Sequence, residues 1–344
     1  MTHYAYPSTG QFKNVIKDVT SAFRKNQKFT FPTLEFIGTV KLHGTNASIY
    51  KNFDNDDFVT QSKNNIITPE KDNYGFSSAI TPLKDLFTPL FNEIKNHNEN
   101  NYKTAIIYGE WCGGNIQPGV ALAELEPMFV VFGIKLTNGN DEKWLDYHLV
   151  QSIFSKNKDL LNKTQVFCIY DFPTWKLNID FNHPQLVQNK LVDITMEVEK
   201  ECPFAKQFGV SGVGEGIVWR NATPCPELDG LNLFFKVKGK EHSVSNVTSL
   251  AMVDTEKVKN IAEFVEKVVT ENRLKQGLEY LTEQQLDYSN ENLKTFISWV
   301  VKDCFKEEKD MITESGLKEK DVAQSIAFKS RDWYLNKNHK KMKP

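Results

Sequence analysis

The pattern of hydrophobic and polar positions divides the chain into two parts. Up to about residue 245, apolar runs and alternating stretches typical of strands are interspersed with amphipathic helices. Beyond it, apolar residues recur at helical spacing, most clearly between Leu293 and Phe305. The pattern therefore predicts a domain of mixed α and β structure over residues 1–245, followed by a small all-α domain over residues 246–344.

The elements of the first part follow from these runs and from the turns between them. An amphipathic helix is predicted between Phe12 and Phe23, where apolar residues recur three or four positions apart. Further helices are predicted over residues 82–92 and 186–198, and in the second part over 321–334. Strands are predicted over residues 33–50, 58–65, 104–111, 128–136, 166–180, 216–220 and 233–240.

Alternation in the last of these strands places Lys236, Lys238 and Lys240 on one face. Three lysines on one face repel one another unless an anion neutralises them. An edge strand protected by lysines is the alternative interpretation.

Composition bounds the kind of protein without naming its chemistry. The chain has 344 residues, and its content of 40% hydrophobic and 12% aromatic residues predicts a globular protein with a substantial core. The formal net charge of −2 means that a nucleic acid would have to bind a local basic surface. The five scattered cysteines form no Cys-x-x-Cys pair, which is typical of reduced thiols and argues against zinc.

Targeting signals are absent from the pattern as well. No apolar run is long enough to cross a bilayer, and no signal peptide or Arg-rich presequence is visible. We therefore expect a soluble, cytoplasmic monomer with no membrane partner.

Lys41 is the candidate nucleophile. It follows a strand-like apolar run and precedes Gly44, whose lack of a Cβ would let the backbone approach a phosphate. An exposed lysine titrates near ~10.4 and nucleophilic lysines at roughly 7 to 8, so burial and cationic neighbours must lower its pKa by about three units. A surface lysine before a turn glycine is the alternative.

Two carboxylates stand next to glycine turns at strand ends. Glu110 ends an apolar strand that runs into Gly113 and Gly114, and Glu215 leads a strand that begins at Gly216. Acids in such positions often face a ligand. A strand-end carboxylate in water is equally compatible with the pattern.

Taken in chain order, these features resemble the covalent nucleotidyltransferase superfamily of ATP-dependent ligases and messenger-RNA capping enzymes. The wording of residues 41–46 (Lys-Leu-His-Gly-Thr-Asn), of the 109–114 turn and of residues 236–238 is most similar to the RNA ligase 2 family, meaning phage double-strand RNA ligases and trypanosome RNA-editing ligases. DNA ligases and capping enzymes would be expected to continue into an OB barrel, whereas this chain continues into helices.

The resemblance implies the α+β fold class, with an ATP-grasp-like ligase adenylation domain of antiparallel sheets and flanking helices. It also implies the activity of an AMP-forming polyribonucleotide ligase. ATP and Mg²⁺, or Mn²⁺, would be the cofactors. AMP would pass from ATP to Lys41, then to the 5′-phosphate of an RNA, and a 3′-hydroxyl would displace it. Nicks in duplex RNA, and phage RNA repair in the host cytoplasm, are the expected setting.

The same resemblance assigns the nucleotide-binding residues. Lys236 and Lys238 would clamp phosphates, and Lys236 would help to depress the pKa of Lys41 by repulsion between like charges. Glu215 would bind the metal, a hard ion that prefers oxygen. Glu110 would bind the ribose hydroxyls, the Phe132 ring would stack on adenine, and Lys63 would contact phosphate.

The remaining assignments concern the RNA. His43, Thr45 and Asn46 would serve adenylate transfer and the RNA end, with bracing of the turn as the alternative for His43. Arg273 would engage RNA, or else form a surface salt bridge. Its partner acid is left open among Asp287, Asp303 and Asp310.

Two positions depart from the family pattern. Val40 stands where many relatives have an acid, so recognition of the adenine amino group would fall to backbone carbonyls. Gly133 follows Phe132 where some relatives carry an acid.

Three other functions stay open at this point. A capping guanylyltransferase or a DNA ligase would use the same covalent chemistry, and a catalytically silent RNA-binding module would keep only the fold. The presence of Lys41, Glu110, Glu215, Lys236 and Lys238 argues against the silent module, because a binder does not need a nucleophile.

Overall fold

The computed structural model describes residues 1–28, 30–55, 58–114, 116–239 and 261–341. The chain divides into two compact units, Met1–Gly239 and Lys240–Pro344. The first combines antiparallel sheets with flanking helices, and the described part of the second is helical. The predicted α+β class, with an all-α C-terminal region, is confirmed.

The strands of the first unit form two sheets. In chain order they are β1 (Thr33–Val40), β2 (Gly44–Asn52), β3 (Phe58–Ser62), β4 (Ile66–Ile67), β5 (Thr104–Cys112), β6 (Met128–Thr137), β7 (Glu142–Trp144), β8 (Val166–Cys168), β9 (Thr174–Asp180), β10 (Gly216–Asn221) and β11 (Phe234–Lys238). Sheet A has the order β11-β10-β1-β9. Sheet B has the order β4-β3-β2-β5-β6-β7, and β8 pairs with β6 in parallel.

The helices of the first unit cover the outer faces of these sheets. They are α1 (Phe12–Lys25), α2 (Phe76–Ile80), α3 (Lys84–Asn96), α4 (Tyr147–Ser155), α5 (Lys158–Lys163), α6 (Gln188–Lys200) and α7 (Pro203–Lys206). Helix α1 forms where its apolar spacing predicted, and Phe12 packs on Phe235 of sheet A with ring centroids 4.8 Å apart. On sheet B, Phe76 of α2 packs on Phe129 at 5.0 Å. None of the described helices combines the length and apolar content needed to span a bilayer.

The stretch predicted as one strand up to Tyr50 is interrupted at Lys41. Val40 is the last residue of β1 in sheet A, and Gly44 is the first residue of β2 in sheet B, so the chain changes sheets over residues 41–43. A similar break separates β8 from β9, which were predicted as a single strand over 166–180. Hydrophobic pattern identifies extended segments but not the sheet each one joins, because both sheets bury residues at the same period.

Gly44 has a reason for being glycine that differs from the predicted one. A Cβ at this position would lie 2.3 Å from the carbonyl oxygen of Trp111 and 2.7 Å from the Cβ of Cys112. Such distances do not occur between real atoms, so the glycine permits close approach of β2 to β5. The packing of β2 against β5 is therefore enough to explain a glycine at residue 44, without a phosphate bound near its backbone.

The described helices of the second unit pack around a core of their own. They are α8 (Ile261–Val268), α9 (Glu271–Glu283), α10 (Leu293–Glu307), α11 (Lys309–Ser315) and α12 (Glu319–Lys341). Phe296 and Val300 of α10 are fully buried in this core together with Tyr334 of α12. Helix α9 begins with a conventional cap, in which the Thr270 hydroxyl accepts a hydrogen bond from the amide of Arg273.

Arg273 is the charged centre of the helical unit. Its side chain is 0% exposed, its Nε donates to Asp303 Oδ2 at 2.9 Å and its Nη2 to Glu308 Oε1 at 3.4 Å. Of the three acids considered, Asp303 is the partner. Asp287 bonds Ser289 and Asn292 instead, and the side chain of Asp310 lies outside the described part.

Complete burial excludes both earlier interpretations of Arg273. A guanidinium enclosed within its own unit offers no donor to RNA, so direct RNA contact is incompatible with this structure, and the pair is no surface salt bridge. Arg273 joins the start of α9 to the end of α10.

Replacing Arg273 with Leu should destabilise the helical unit by about 3–5 kcal/mol, because the carboxylate of the fully buried Glu308 loses its cation. Urea denaturation followed by circular dichroism at the helical band measures the loss. The matched control is Lys275→Ala on the same helix, since Lys275 is exposed and pairs with Glu271 one turn away; we expect a change below about 0.5 kcal/mol. Equal midpoints for the two variants would show that the buried network contributes little.

Candidate active site around Lys41 and Glu215

Two lysines and a histidine converge on the carboxylate of Glu215. Lys41 Nζ lies 2.7 Å from Oε2, His43 Nδ1 lies 3.1 Å from the same oxygen, and Lys238 Nζ lies 2.9 Å from Oε1. Glu215 is 2% exposed, against 22% for Lys41 and 10% for Lys238. The predicted nucleophile, Lys41, and one predicted phosphate-binding residue, Lys238, therefore both contact the predicted metal ligand, the buried carboxylate of Glu215.

The charges at this site compensate one another. Burial alone would raise the pKa of Glu215, but Lys238, Lys41 and His43 together hold it well below its usual value. The pKa of Lys238 is lowered, chiefly by burial, with Glu215 acting in the opposite direction and the like charges of Lys41 and Lys236 adding to the decrease. Glu215 is consequently ionised at neutral pH, and Lys41 is held in an ion pair.

Backbone hydrogen bonds fix the positions of these side chains. The amide of Lys41 donates to the carbonyl of Gly216 at 2.8 Å, and the amide of Gly239 donates to the carbonyl of Glu215 at 3.1 Å. Gly216 has φ of 148°, and a Cβ there would lie 2.2 Å from the carbonyl oxygen of Val237. Only glycine fits, so the turn that aims Glu215 at Lys41 depends on Gly216.

Strand register places Lys236 beside this group. Gly216 pairs with Lys238 and Val218 with Lys236, so the alternation of side chains puts both lysines on one face of sheet A, as predicted. Thr39 of β1 pairs with Val218 and shares that face. Lys240, the third lysine of the predicted face, lies outside the described residues.

Strand β11 lies at the edge of sheet A, but Lys238 does not act as an exposed lysine that blocks edge pairing. Lys238 is buried and paired with Glu215, and the edge itself is covered, since the Lys236 amide donates to the carbonyl of Gly10 at 3.0 Å. The alternative interpretation of these lysines therefore fails for Lys238.

Sheet B carries three more of the predicted residues. Glu110 of β5 pairs with Asn46 of β2, so these two half-buried side chains share a face. Phe132 of β6 lies at the irregularity in the β5–β6 pairing and is half-buried; the edge of the Tyr6 ring packs against it, with centroids 5.0 Å apart. Sheet B thus contributes the two residues predicted for the ribose and the base, Glu110 and Phe132.

The other predicted residues are placed less uniformly. Lys63 is exposed just beyond the end of β3. Asn46 directs its Nδ2 towards the carbonyl of Gly109 at 3.5 Å. Thr45 is 2% exposed and accepts a hydrogen bond from Asn73 Nδ2 at 3.3 Å, so its side chain does not reach RNA and that expectation was wrong.

A small cavity adjoins the ion pair. It has a volume of about 10 Å³, room for about one water molecule, and is lined by Val40, Lys41, Leu42, His43, Val120, Leu122, Cys202, Gly214 and Glu215. Its apolar lining gives Lys41 the low-polarity surroundings that its chemistry requires. Val120, Leu122 and Cys202 carried no signal in the sequence, because residues that merely supply an apolar wall are indistinguishable from core residues.

Sequence reasoning also missed Tyr6 and Arg220 as neighbours of the predicted base site. Arg220 Nη2 donates to the Tyr6 hydroxyl at 3.0 Å, and Tyr6 contacts Phe132. One signal was available: Arg220 lies at even spacing from Gly216 and Val218 on β10, which predicts a shared face.

Replacing Glu215 with Gln should lower stability in a pH-dependent way. Because the pKa of Glu215 in the folded chain lies well below its ordinary value of 4.5, the ionised carboxylate stabilises the fold fully above pH 4.5, and this contribution is lost as the pH falls through the folded-state value. At pH 7 we expect a loss of about 3 kcal/mol, since Lys41 and Lys238 lose their counter-charge. Urea midpoints at pH 7 and at steps below 4.5 measure both effects.

The matched control is Glu35→Gln. Its carboxylate is exposed and lies 3.6 Å from Lys176, so a loss below about 0.5 kcal/mol is expected. A difference between wild type and Glu215→Gln that stays constant at every pH would contradict the assigned ionisation.

Comparison with known proteins gives a family and several structural neighbours. A family model described as RNA ligase matches residues 34–238, which is more than half of the chain. No curated protein sequence matches it.

The structural neighbours include variants of the RNA ligase of Naegleria gruberi. One, with AMP and Mn, aligns with 70% of this chain and 57% of that chain at 18% identity and a TM-score of 0.45. Another, with ATP and Mn, aligns with 70% and 58% at a TM-score of 0.44. This chain therefore spans less than two thirds of the length of those neighbours. On the family match over residues 34–238, which contain Lys41, Glu215 and Lys238, the chain belongs to the RNA ligase family.

Proposed function

We propose that this protein is an ATP-dependent RNA ligase that joins a 3′-hydroxyl to a 5′-phosphate, with Lys41 as the residue that carries AMP. The observation that supports this most directly is the convergence of Lys41, Lys238 and His43 on the buried Glu215, within the region matched by the RNA ligase family. A lysine fixed beside a second lysine, in apolar surroundings, is suited to nucleophilic attack.

In the first step the Lys41 amine attacks the α-phosphate of ATP. An N–P bond forms, the bond to the bridging oxygen breaks, and pyrophosphate leaves. The amine must first part from Glu215 and lose its proton, because an ammonium has no lone pair to offer. Lys238 and Lys236, on the same sheet face, neutralise the charge that develops on the phosphate oxygens.

Glu215 fits the role of ligand to Mg²⁺ or Mn²⁺. Among the described residues no group of three or more His, Cys, Asp or Glu side chains is arranged to hold a metal, so a chelating cage is not preformed there. A single buried carboxylate suits a hard ion held mainly by water and substrate phosphates. When bound, such an ion would supply positive charge that neutralises the phosphates.

The second and third steps transfer AMP to the RNA 5′-phosphate and then displace it by the 3′-hydroxyl. Both are displacements at phosphorus, so alignment and neutralisation of charge dominate. His43, in the turn that follows Lys41, and Asn46, on β2, are the groups proposed to hold the RNA end. The exposed Lys63 is proposed to contact phosphate. Thr45 and Arg273 are excluded from these roles by their burial.

The Lys41→Ala variant tests the covalent step. Incubation of the wild type with ATP labelled at the α-phosphate, followed by a denaturing gel, should show label on the protein, and the variant should show none because no other amine replaces Lys41. Lys51→Ala, which alters a lysine on the neighbouring β2, is the control and should label like wild type. Labelling of Lys41→Ala would contradict the assignment, and exclusive labelling by GTP would favour a capping guanylyltransferase.

Sealing assays test the proposed substrate. A nicked RNA duplex with a 5′-phosphate should be sealed faster than a matched nicked DNA duplex or single-stranded RNA. Faster sealing of the DNA nick would favour a DNA ligase, and binding of RNA without sealing or labelling would favour a silent binding module.

A further inference from the structure

Helix α1 carries a basic face that lies outside the candidate site. It is formed by the cations of the helix, Lys13, Lys17, Arg24 and Lys25. Intervals of four and seven residues place the first three on one side of the helix, and Lys25 directly follows Arg24. This basic face extends over about 18 Å of helix. Asp18 is the acidic residue among these cations.

The basic face is turned to solvent because the apolar side of the helix is buried. Lys17, Arg24 and Lys25 are exposed, and Lys13 is half-buried. The buried side consists of Phe12, Val15, Ile16, Val19 and Phe23. A basic amphipathic helix binds a membrane by inserting its apolar side, and here that side belongs to the core. The basic face therefore fits an anionic partner in water better than a lipid surface.

The stability of the helix does not account for all of these cations. Cations are favourable at the C-terminus of a helix and unfavourable at its N-terminus, because the backbone dipoles place partial positive charge there. Arg24 and Lys25 lie in the last turn and fit this rule. Lys13 lies in the first turn, which contains no acid, and contradicts it. A cation in that position is better explained by an anion that binds the helix.

The basic face begins beside the lysines of the candidate site. The carbonyl of Gly10 accepts a hydrogen bond from the amide of Lys236 at 3.0 Å, and α1 starts two residues later. Phe12 then packs on Phe235, with ring centroids 4.8 Å apart. Because side chains alternate along β11, Lys236 and Lys238 lie on the other face of this edge strand. An anionic chain that leaves the site past the edge of sheet A therefore reaches the basic face.

We propose that the basic face of α1 binds the phosphate backbone of RNA beyond the ends that react. This inference rests on the proposed function, which assigns RNA ends to the adjoining site. Contacts to phosphate read no base edges, so binding is independent of sequence. It weakens as salt is added, because each neutralised phosphate releases a counterion. With a formal net charge of −2, the chain needs a local basic surface of this kind to hold RNA.

Binding of a fluorescently labelled RNA duplex to the full chain, without ATP, tests the proposal. The Lys17→Gln/Lys25→Gln variant should bind severalfold more weakly than wild type at about 50 mM salt. Its plot of log affinity against log salt should be shallower by roughly two, one for each lysine. Affinity should therefore fall about tenfold less than in wild type between about 50 and 200 mM salt. Fluorescence anisotropy measures both quantities.

The matched control is Lys84→Gln/Lys95→Gln. Both lysines are exposed on α3, whose Phe87 packs on Phe58 of sheet B, so the control makes the same change of charge on another helix. It should bind RNA as wild type does. Unchanged affinity and slope in Lys17→Gln/Lys25→Gln, or an equal loss in the control, would overturn the proposal. Loss of binding to phosphatidylserine vesicles with RNA binding retained would overturn it as well.

Acetylation of lysines gives a second measurement on the unaltered chain. Addition of the RNA duplex should protect Lys17 and Lys25 from acetic anhydride, as read by mass spectrometry, and should leave Lys84 and Lys95 unprotected. Equal modification of all these lysines with and without RNA would contradict the proposal.

The outcomes distinguish this inference from the proposed function. The basic face takes no part in adenylation, so Lys17→Gln/Lys25→Gln should take label from ATP like wild type. In sealing assays it should raise KM for RNA with little change in kcat. A chain that binds RNA through α1 yet takes no label would refute the ligase proposal and keep the basic face. A chain that labels and seals without any dependence on Lys17 and Lys25 would keep the ligase and refute the basic face.

Discussion

The candidate site of the first unit depends on one buried anion that two lysines and a histidine share. Glu215 is almost inaccessible to solvent, and a lone carboxylate in that position would be costly. Lys41, Lys238 and His43 remove that cost by ion pairing and hydrogen bonding. Glu215 in turn stabilises the two lysines, because their like charges would repel each other without the carboxylate between them.

The change of sheets at Lys41 explains how these groups meet. β1 and β10 are neighbours in sheet A, so Lys41 and Glu215 are adjacent at the strand ends even though 174 residues separate them in sequence. The chain enters sheet B at Gly44, and His43, the residue just before it, also contacts the carboxylate of Glu215. At this crossing the Lys41 amide is fixed by the carbonyl of Gly216, while its side chain extends to Glu215.

Much of this could be predicted from the sequence, and what could not has identifiable causes. Period and turn residues located most strands and the amphipathic helices, and a distinctive six-residue motif pointed to Lys41. Sheet membership was not predictable, because pairing is a long-range property that local alternation does not encode. The roles of Thr45 and Arg273 were misjudged for a related reason: a polar residue type indicates possible chemistry, while burial decides whether a ligand can reach it.

The two arginines of greatest interest illustrate that last point from opposite directions. Arg273 is enclosed and fully compensated, with Asp303 and Glu308 as acceptors, and such an arrangement stabilises a fold while leaving no donor for anything else. Arg220 is only half-buried, and aromatic rings and a neutral phenol restrain it without cancelling its charge. Because carboxylates surround one guanidinium and aromatic rings with a phenol surround the other, residue type alone does not tell how a buried charge is accommodated; its partners do.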